Sequence, residues 1–219
     1  MAALNLPGLP FALSPEGNPP PGCRVLNGAL ILSAAANTDM FVDPAHDATL
    51  GPGPDSDPVG TADSASTELP DAGRLVGLPP AGDFTLAAKV TVAFASTFDA
   101  GVLLLYAADR RWAKLCFEYS PQNTPMAVTV VTRETSDDSN SFEVTGNTLW
   151  LRVTRTGAAW AFHASTDGEW WRMIRYFTLG AELVRVGFLA QSPTGKGCDV
   201  TFEDITFRPG APENLRNGS

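Results

Sequence analysis

The chain has 219 residues, a formal net charge of −9 at pH 7 and a sequence pI near 4.6. An acidic protein repels nucleic-acid phosphates and anionic lipid headgroups, so we expect neither nucleic acid nor a membrane as a partner. Its 20 glycines and 18 prolines indicate many turns and argue against long helices, and a chain of this length is expected to fold as one domain, residues 1–219.

The first part of the chain alternates between restricted and strand-like segments. Six prolines in residues 1–22 predict an extended N-terminal strap over the surface. Two apolar runs, Gly28–Ser33 and Thr38–Pro44, then predict core strands. Residues 45–73 lose periodicity and fill with Asp, Gly, Pro, Ser and Thr, which predicts a long loop insertion whose role as a lid stays open.

From residue 74 onward, strand signals recur at intervals of roughly 8 to 12 residues with turns between them, which favours an antiparallel sandwich. Residues 209–219 are expected to form a flexible tail. The predicted strands are Phe84–Phe94, Gly101–Ala107, Trp112–Tyr119, Ala127–Arg133, Ser141–Val144, Thr148–Arg155, Trp160–Ser165, Trp171–Phe177, Val184–Gln191 and Cys198–Phe207.

The strand Trp112–Tyr119 is the most informative segment. Alternate side chains of a strand point to opposite faces of a sheet, so Trp112, Lys114 and Glu118 are expected to share one face. We expect Lys114 to keep the Glu118 carboxylate ionised and to lower its pKa. The same alternation, applied to every strand, predicts an inter-sheet core of Leu115, Phe117, Leu151, Val153, Phe162, Trp171 and Phe188.

Four sequence motifs occur in a fixed order along the chain. They are Trp112-x-Lys114-x-x-x-Glu118-Tyr119, Val130-Val131-Thr132-Arg133, Ser165-x-Asp167-Gly168-x-x-Trp171 and Val186-Gly187-Phe188-x-Ala190-Gln191-Ser192-Pro193. Over residues 24–208 this combination resembles the DUF1349, or regulation-of-enolase-like, family of the concanavalin A-like lectin/glucanase superfamily. The resemblance implies a jelly-roll β-sandwich of two antiparallel sheets, with ligands bound across a concave sheet face.

Fold alone does not decide function, because the superfamily that the chain resembles contains both lectins and glycoside hydrolases. The leading hypothesis is a lectin-like protein that binds a carbohydrate or another polyhydroxylated molecule. Trp112 would stack on the sugar, and the cleft would contain His163. The other residues predicted to hydrogen-bond sugar hydroxyls are Lys114, Glu118, Arg133, Arg152 and Gln191.

Two alternatives stay open. A glycoside-active enzyme would use Glu118 as a catalytic group with a second acid among Asp43, Asp137 and Asp138, although the paired carboxylates usual in concanavalin A-like glucanases are missing from the central strand. A regulatory protein-interaction module would instead dock another protein on the same sheet face.

The remaining signals concern cysteines, metals and location. Cys23, Cys116 and Cys198 are widely spaced and predict reduced thiols. No metal-binding spacing is found, so we expect no metal site and no cofactor, with a structural calcium left open. The N-terminus has no export signal, which predicts a cytoplasmic protein. The oligomeric state stays open.

Overall fold

A computed structural model describes residues 2–45 and 71–219 of the chain. Strands dominate these residues, and no helix occurs among them, in agreement with the turn-rich composition. The strands are β1 Ser14–Glu16, β2 Gly22–Leu26, β3 Ala29–Ser33, β4 Arg74–Gly77, β5 Phe84–Val92, β6 Ala100–Ala108, β7 Arg111–Tyr119, β8 Pro125–Arg133, β9 Thr135–Glu143, β10 Thr148–Thr156, β11 Ala159–Ser165, β12 Arg172–Thr178, β13 Arg185–Gln191 and β14 Asp199–Pro209.

The strands form two antiparallel sheets of seven strands each. The first sheet has the order β1-β4-β13-β6-β7-β8-β9 and the second has the order β12-β11-β10-β5-β14-β3-β2. This architecture confirms the predicted concanavalin A-like jelly-roll sandwich. Within the described ranges no helix is long and apolar enough to cross a membrane.

The main core lies between the two sheets, where alternate side chains of each strand meet. Six of the seven predicted core residues are buried there: Leu115, Phe117, Leu151, Val153, Phe162 and Phe188. The prediction for Trp171 is wrong. The core-facing Ala164 pairs with Arg172, so the neighbouring Trp171 falls on the opposite face, where it is half-buried and covers the guanidinium of Arg152.

The predicted strand Thr38–Pro44 is also wrong, because only Thr38 makes a bridge, to Ser192. The segment instead crosses the outer face of the first sheet, the face that points away from the second sheet. Val42 N–H donates to Ser136 Oγ at 2.9 Å and the Val42 carbonyl accepts from Ser136 N–H at 2.9 Å. The apolar residues of this segment alternate because every second side chain packs on the sheet. A segment that lies on a sheet and a strand that belongs to it have the same periodicity in sequence.

Of the three other segments predicted from the sequence, the structure describes the N-terminal strap and the C-terminal tail but little of the long loop. The predicted loop 45–73 lies mostly outside the described residues, which resume at residue 71. The N-terminal strap contains the Leu4–Leu13 bridge and supplies the edge strand β1, where a proline is tolerated. The expected tail, residues 209–219, extends β14 by one residue and then lies against the outer face of the second sheet.

Candidate functional site

The candidate site lies on the outer face of the first sheet and is built around β7. Alternation places Trp112, Lys114, Cys116 and Glu118 on this face, while Ala113, Leu115 and Phe117 enter the main core. The sequence prediction for these faces is confirmed. Neighbouring strands contribute mainly apolar side chains, so the charged groups of β7 lie in apolar surroundings.

A second apolar cluster covers part of this face. Met40 and Val42, from the segment that crosses the face, pack with Trp112, Val130 and other residues of the sheet. We call this group the outer cluster; its buried members are Met40, Val42, Ala72, Val76, Ala100, Val102, Leu104, Tyr106, Trp112, Cys116, Met126, Val128, Val130 and Leu189. Burial of the outer cluster holds the segment against the sheet.

Lys114 is almost fully buried and has two partners. Its Nζ donates to Gln191 Oε1 at 2.9 Å and to Asp39 Oδ1 at 3.4 Å. Burial lowers the pKa of Lys114, but the acidic neighbours, Asp39 foremost, outweigh burial and leave the pKa above its ordinary value. Lys114 therefore stays charged and fixes Gln191 and Asp39 in place. Asp39 was missed as a site residue because it approaches from a segment distant in sequence.

Glu118 differs from Lys114 because it makes no hydrogen bond or ion pair with the described part of the chain. The side chain is half-buried beside Ala100 and Met126 on the neighbouring strands. Burial raises the pKa of Glu118 to about 8, with Lys114 opposing the rise and Asp138 and Asp39 adding to it. Lys114 does lower the pKa of Glu118, but the expectation of an ionised carboxylate with a net lowered pKa is wrong, because the cost of burial outweighs the effect of Lys114.

Asp138, on the edge strand β9, belongs to the same electrostatic group. Its backbone pairs with Val130, which pairs in turn with Lys114, so the three residues form one row across the sheet. Partial burial raises the pKa of Asp138, and Lys114 opposes that rise. The outer face thus combines two buried cations, Lys114 and Arg74, with several carboxyl groups, among which Glu118 makes no hydrogen bond or ion pair with the described residues.

The prediction that Trp112 stacks on a ligand is wrong. Trp112 is completely buried in the outer cluster, and its ring centroid lies 5.6 Å from Lys114 Nζ. Its indole Nε1 has no hydrogen-bond partner among the described residues. The segment that contains Met40 and Val42 contributes to this cluster, so the exposure of Trp112 depends on residues far away in sequence.

The other predicted residues do not share one site. Gln191 joins Lys114, as described above, but Arg133 is exposed at the end of β8, on the side opposite to Lys114. Arg152 and His163 lie on β10 and β11 of the second sheet, on its outer face. Placing them in the same cleft as Glu118 is therefore wrong: alternation correctly separates them from Leu151 and Phe162, but it does not reveal which sheet a strand joins.

The remaining candidate groups are the three cysteines and any side chains that could bind a metal ion. Cys23, Cys116 and Cys198 are free thiols, as predicted, and Cys116 lies on the outer face between Lys114 and Glu118. Burial raises the pKa of Cys116 well above its ordinary value, so it is a poor nucleophile. In residues 2–45 and 71–219, no group of three His, Cys, Asp or Glu side chains is arranged to hold a metal ion.

Residues 18–210 match the sequence profile of a family described as "Protein of unknown function (DUF1349)". The chain belongs to the DUF1349 family. A comparison with curated protein sequences gives no match. Among solved structures, this DUF1349 protein is similar to a functionally unknown protein from Saccharomyces cerevisiae, with 19% identity, a TM-score of 0.72 and coverage of 91% of this chain and 97% of that one.

Carbohydrate-active enzymes also contain similar sandwiches. A xylan β-1,4-xylosidase from Bacillus halodurans gives a TM-score of 0.62 at 11% identity, covering 85% of the DUF1349 chain and 34% of the xylosidase. An alginate lyase from Klebsiella pneumoniae gives 0.50 at 12% identity, covering 86% and 84%. The DUF1349 protein thus spans about a third of the xylosidase, and at these identities the similarity establishes the fold alone.

Proposed function

We propose that this protein is a lectin-like carbohydrate-binding protein whose ligand lies on the outer face of the first sheet at Glu118. The observation that carries the proposal is a half-buried carboxyl group with no hydrogen bond or ion pair to the described residues. Leaving such a group without a partner is costly in a folded protein. A ligand hydroxyl would supply the missing partner.

The protonation state of Glu118 suits a neutral polyhydroxylated ligand. With its pKa raised to about 8, the carboxyl group is protonated at neutral pH and both donates and accepts hydrogen bonds. A sugar hydroxyl also donates and accepts, so the two groups are complementary. The nearby carboxyl of Asp138 and the net charge of −9 disfavour an anionic ligand.

The proposed roles follow from exposure. Glu118 and the exposed Asp138 are the groups placed to contact a sugar. Lys114 and Gln191 are buried and hydrogen-bonded to each other, so they stabilise this face and are not placed to contact the ligand. Structural similarity to parts of a xylosidase and to an alginate lyase supports a carbohydrate ligand at the level of fold analogy.

A glycan array with the full-length protein tests this proposal. Glu118→Met keeps a side chain of similar length and removes both the donor and the acceptor of the carboxyl group, so we expect it to weaken binding of a neutral glycan by at least about tenfold, as for loss of one buried hydrogen bond to the ligand. Glu169→Met makes the same chemical change at an exposed turn and should bind like the wild type. Unchanged binding by Glu118→Met would refute the proposed site.

One observation favours a glycoside-active enzyme as the second candidate. A carboxyl group that stays protonated at neutral pH is suited to be a general acid, and Asp138 lies on the same face as a possible second carboxylate. A hydrolysis screen on the same preparation separates the candidates. Turnover that is lost in both Glu118→Gln and Asp138→Asn would establish the enzyme, whereas binding without turnover supports the lectin-like protein.

A further inference from the structure

A second group of buried polar side chains lies on the outer face of the second sheet, away from Glu118. Arg152 on β10 and His163 on β11 are directly opposite each other in the ladder, and Thr154 follows two residues after Arg152 on the same face. Their exposed fractions are 9% for Arg152 and 0% for Thr154 and His163. Three polar side chains with so little exposure need partners inside the protein.

Residues 211–219 cover this group and satisfy only part of it. Arg152 Nη2 donates to the Gly218 carbonyl at 2.9 Å, and His163 Nε2 donates to the Leu215 carbonyl at 2.8 Å. The Trp171 ring lies over the guanidinium, with its centroid 4.3 Å from Arg152 Cζ. Among the described residues, Arg152 Nε, Thr154 Oγ1 and His163 Nδ1 remain buried without a hydrogen-bond partner.

The free atom of Arg152 indicates what this group recognises. Nε and Nη2 lie on the same edge of the planar guanidinium, which matches the two oxygens of a carboxylate. The Gly218 carbonyl supplies one oxygen to Nη2, and Nε has no hydrogen-bond partner in residues 2–45 and 71–219. The Gly218 carbonyl therefore pairs with one of the two N–H groups on this edge of Arg152, whereas a carboxylate would pair with both.

The free atom of His163 requires the opposite kind of partner. The Leu215 carbonyl can only accept, so Nε2 carries the proton and Nδ1 presents a lone pair. Burial lowers the pKa of His163 to about 4, with the Leu215 hydrogen bond opposing and Arg152 adding to the shift, so the ring is neutral at pH 7. A hydroxyl group that donates to Nδ1 would complete the set, and Thr154 Oγ1 can accept or donate beside it.

We propose that Arg152, Thr154 and His163 form a second binding site, specific for a small hydroxycarboxylate, and that residues 216–219 occupy the carboxylate position of this site. The carboxylate would replace the Gly218 carbonyl and accept from both Nε and Nη2 of Arg152, and the hydroxyl would donate to His163 Nδ1 while the Leu215 carbonyl stays on Nε2. Binding requires residues 216–219 to leave, so the apparent affinity of the wild type is its intrinsic affinity multiplied by the fraction of molecules in which this segment is displaced.

Gly218 allows the segment to be displaced without changing the site. A Cβ at residue 218 would contact Arg152 Nη2 and lie 2.6 Å from Trp171 Cβ, and φ is +76°, so Gly218→Val expels the segment. Gly82→Val is the matched control, because φ is +101° and nothing lies within 4 Å of its Cβ. Asn214→Ala, which removes the acceptor for Arg216 and Asn217 N–H, is a second displacing variant if Gly218→Val does not fold.

Glycolate, acetate and ethylene glycol serve as probes, with the ¹⁵N signals of the His163 imidazole as the readout. We expect glycolate to shift the Nδ1 signal and to bind Gly218→Val or Asn214→Ala at least about tenfold more tightly than the wild type and Gly82→Val. Acetate should bind more weakly, ethylene glycol should not bind, and adding Arg152→Gln should abolish binding. Equal glycolate affinity in displaced and control variants, or binding that survives Arg152→Gln, would overturn the proposal.

Discussion

At the scale of single residues, Glu118 is a carboxyl group held in apolar surroundings on the outer face of the first sheet. The side chain is half-buried, lacks a protein partner among the described residues and has a pKa raised to about 8 by burial. Lys114, four residues earlier on the same face, is committed to Asp39 and Gln191. Burying Glu118 destabilises the fold, and no hydrogen bond or ion pair with the described residues compensates for it. Such uncompensated groups are typical of functional sites.

The raised pKa predicts a pH dependence of stability. Between about pH 4.5 and pH 8, the unfolded chain loses the Glu118 proton while the folded protein keeps it. The free energy of unfolding therefore falls as pH rises through this window, by at most about 1.4 kcal/mol per pH unit from this group. Glu118→Gln removes this contribution.

Denaturant unfolding at pH 5 and pH 8 measures the effect. We expect Glu118→Gln to gain stability relative to the wild type on going from pH 5 to pH 8, whereas Glu169→Gln, at an exposed turn, should show no such gain. An identical difference between Glu118→Gln and the wild type at both pH values would show that the Glu118 pKa is near its ordinary value.

At the scale of elements, β7 separates two apolar layers. Phe117 is fully buried between the sheets, with its ring centroid 5.1 Å from that of Phe94, whereas Trp112 is buried on the other face in the outer cluster. The alternation that separates them is readable from sequence. The burial of Trp112 is not, because it depends on residues 38–43, which pack across the sheet without joining it.

Because Phe117 is fully buried between the sheets, shortening its side chain is predicted to lower the stability of the fold strongly. Phe117→Ala should lower the free energy of unfolding by about 3–5 kcal/mol, because it leaves a cavity between the sheets. Phe41→Ala, at a half-buried side chain packed on the outer cluster, serves as the comparison and should cost less. Chemical denaturation checks both variants, and a loss below about 1 kcal/mol for Phe117→Ala would mean that the cavity argument fails for this position.

At the scale of the whole molecule, the sandwich was predictable and the site only in part. The turn-separated strand signals, with the family resemblance, gave the two antiparallel sheets, and six of seven core residues followed from alternation. Sheet membership was not predictable in the same way: Arg152 and His163 alternate like cleft residues, but β10 and β11 belong to the second sheet. Long-range strand order decides that outcome, and local periodicity does not encode it.

The two outer faces consequently carry two different groups of polar residues. Glu118 and Asp138 lie on the first sheet, while Arg152, Thr154 and His163 lie on the second. The carboxyl groups of the first face suit neutral hydroxyls, and the guanidinium of the second suits a carboxylate. We propose that carbohydrate binds to the first of these faces, the one that contains Glu118.

Methyl NMR of the methionines shows which face binds the carbohydrate, with the neutral oligosaccharide that binds best on the array as the probe. Met126 is paired with Glu118 on the first sheet, and Met173 is paired with His163 on the second. We predict that titration shifts the Met126 methyl signal and leaves the Met173 signal unchanged. A shift of Met173 with Met126 unchanged would place the carbohydrate on the other sheet and refute the proposed site at Glu118.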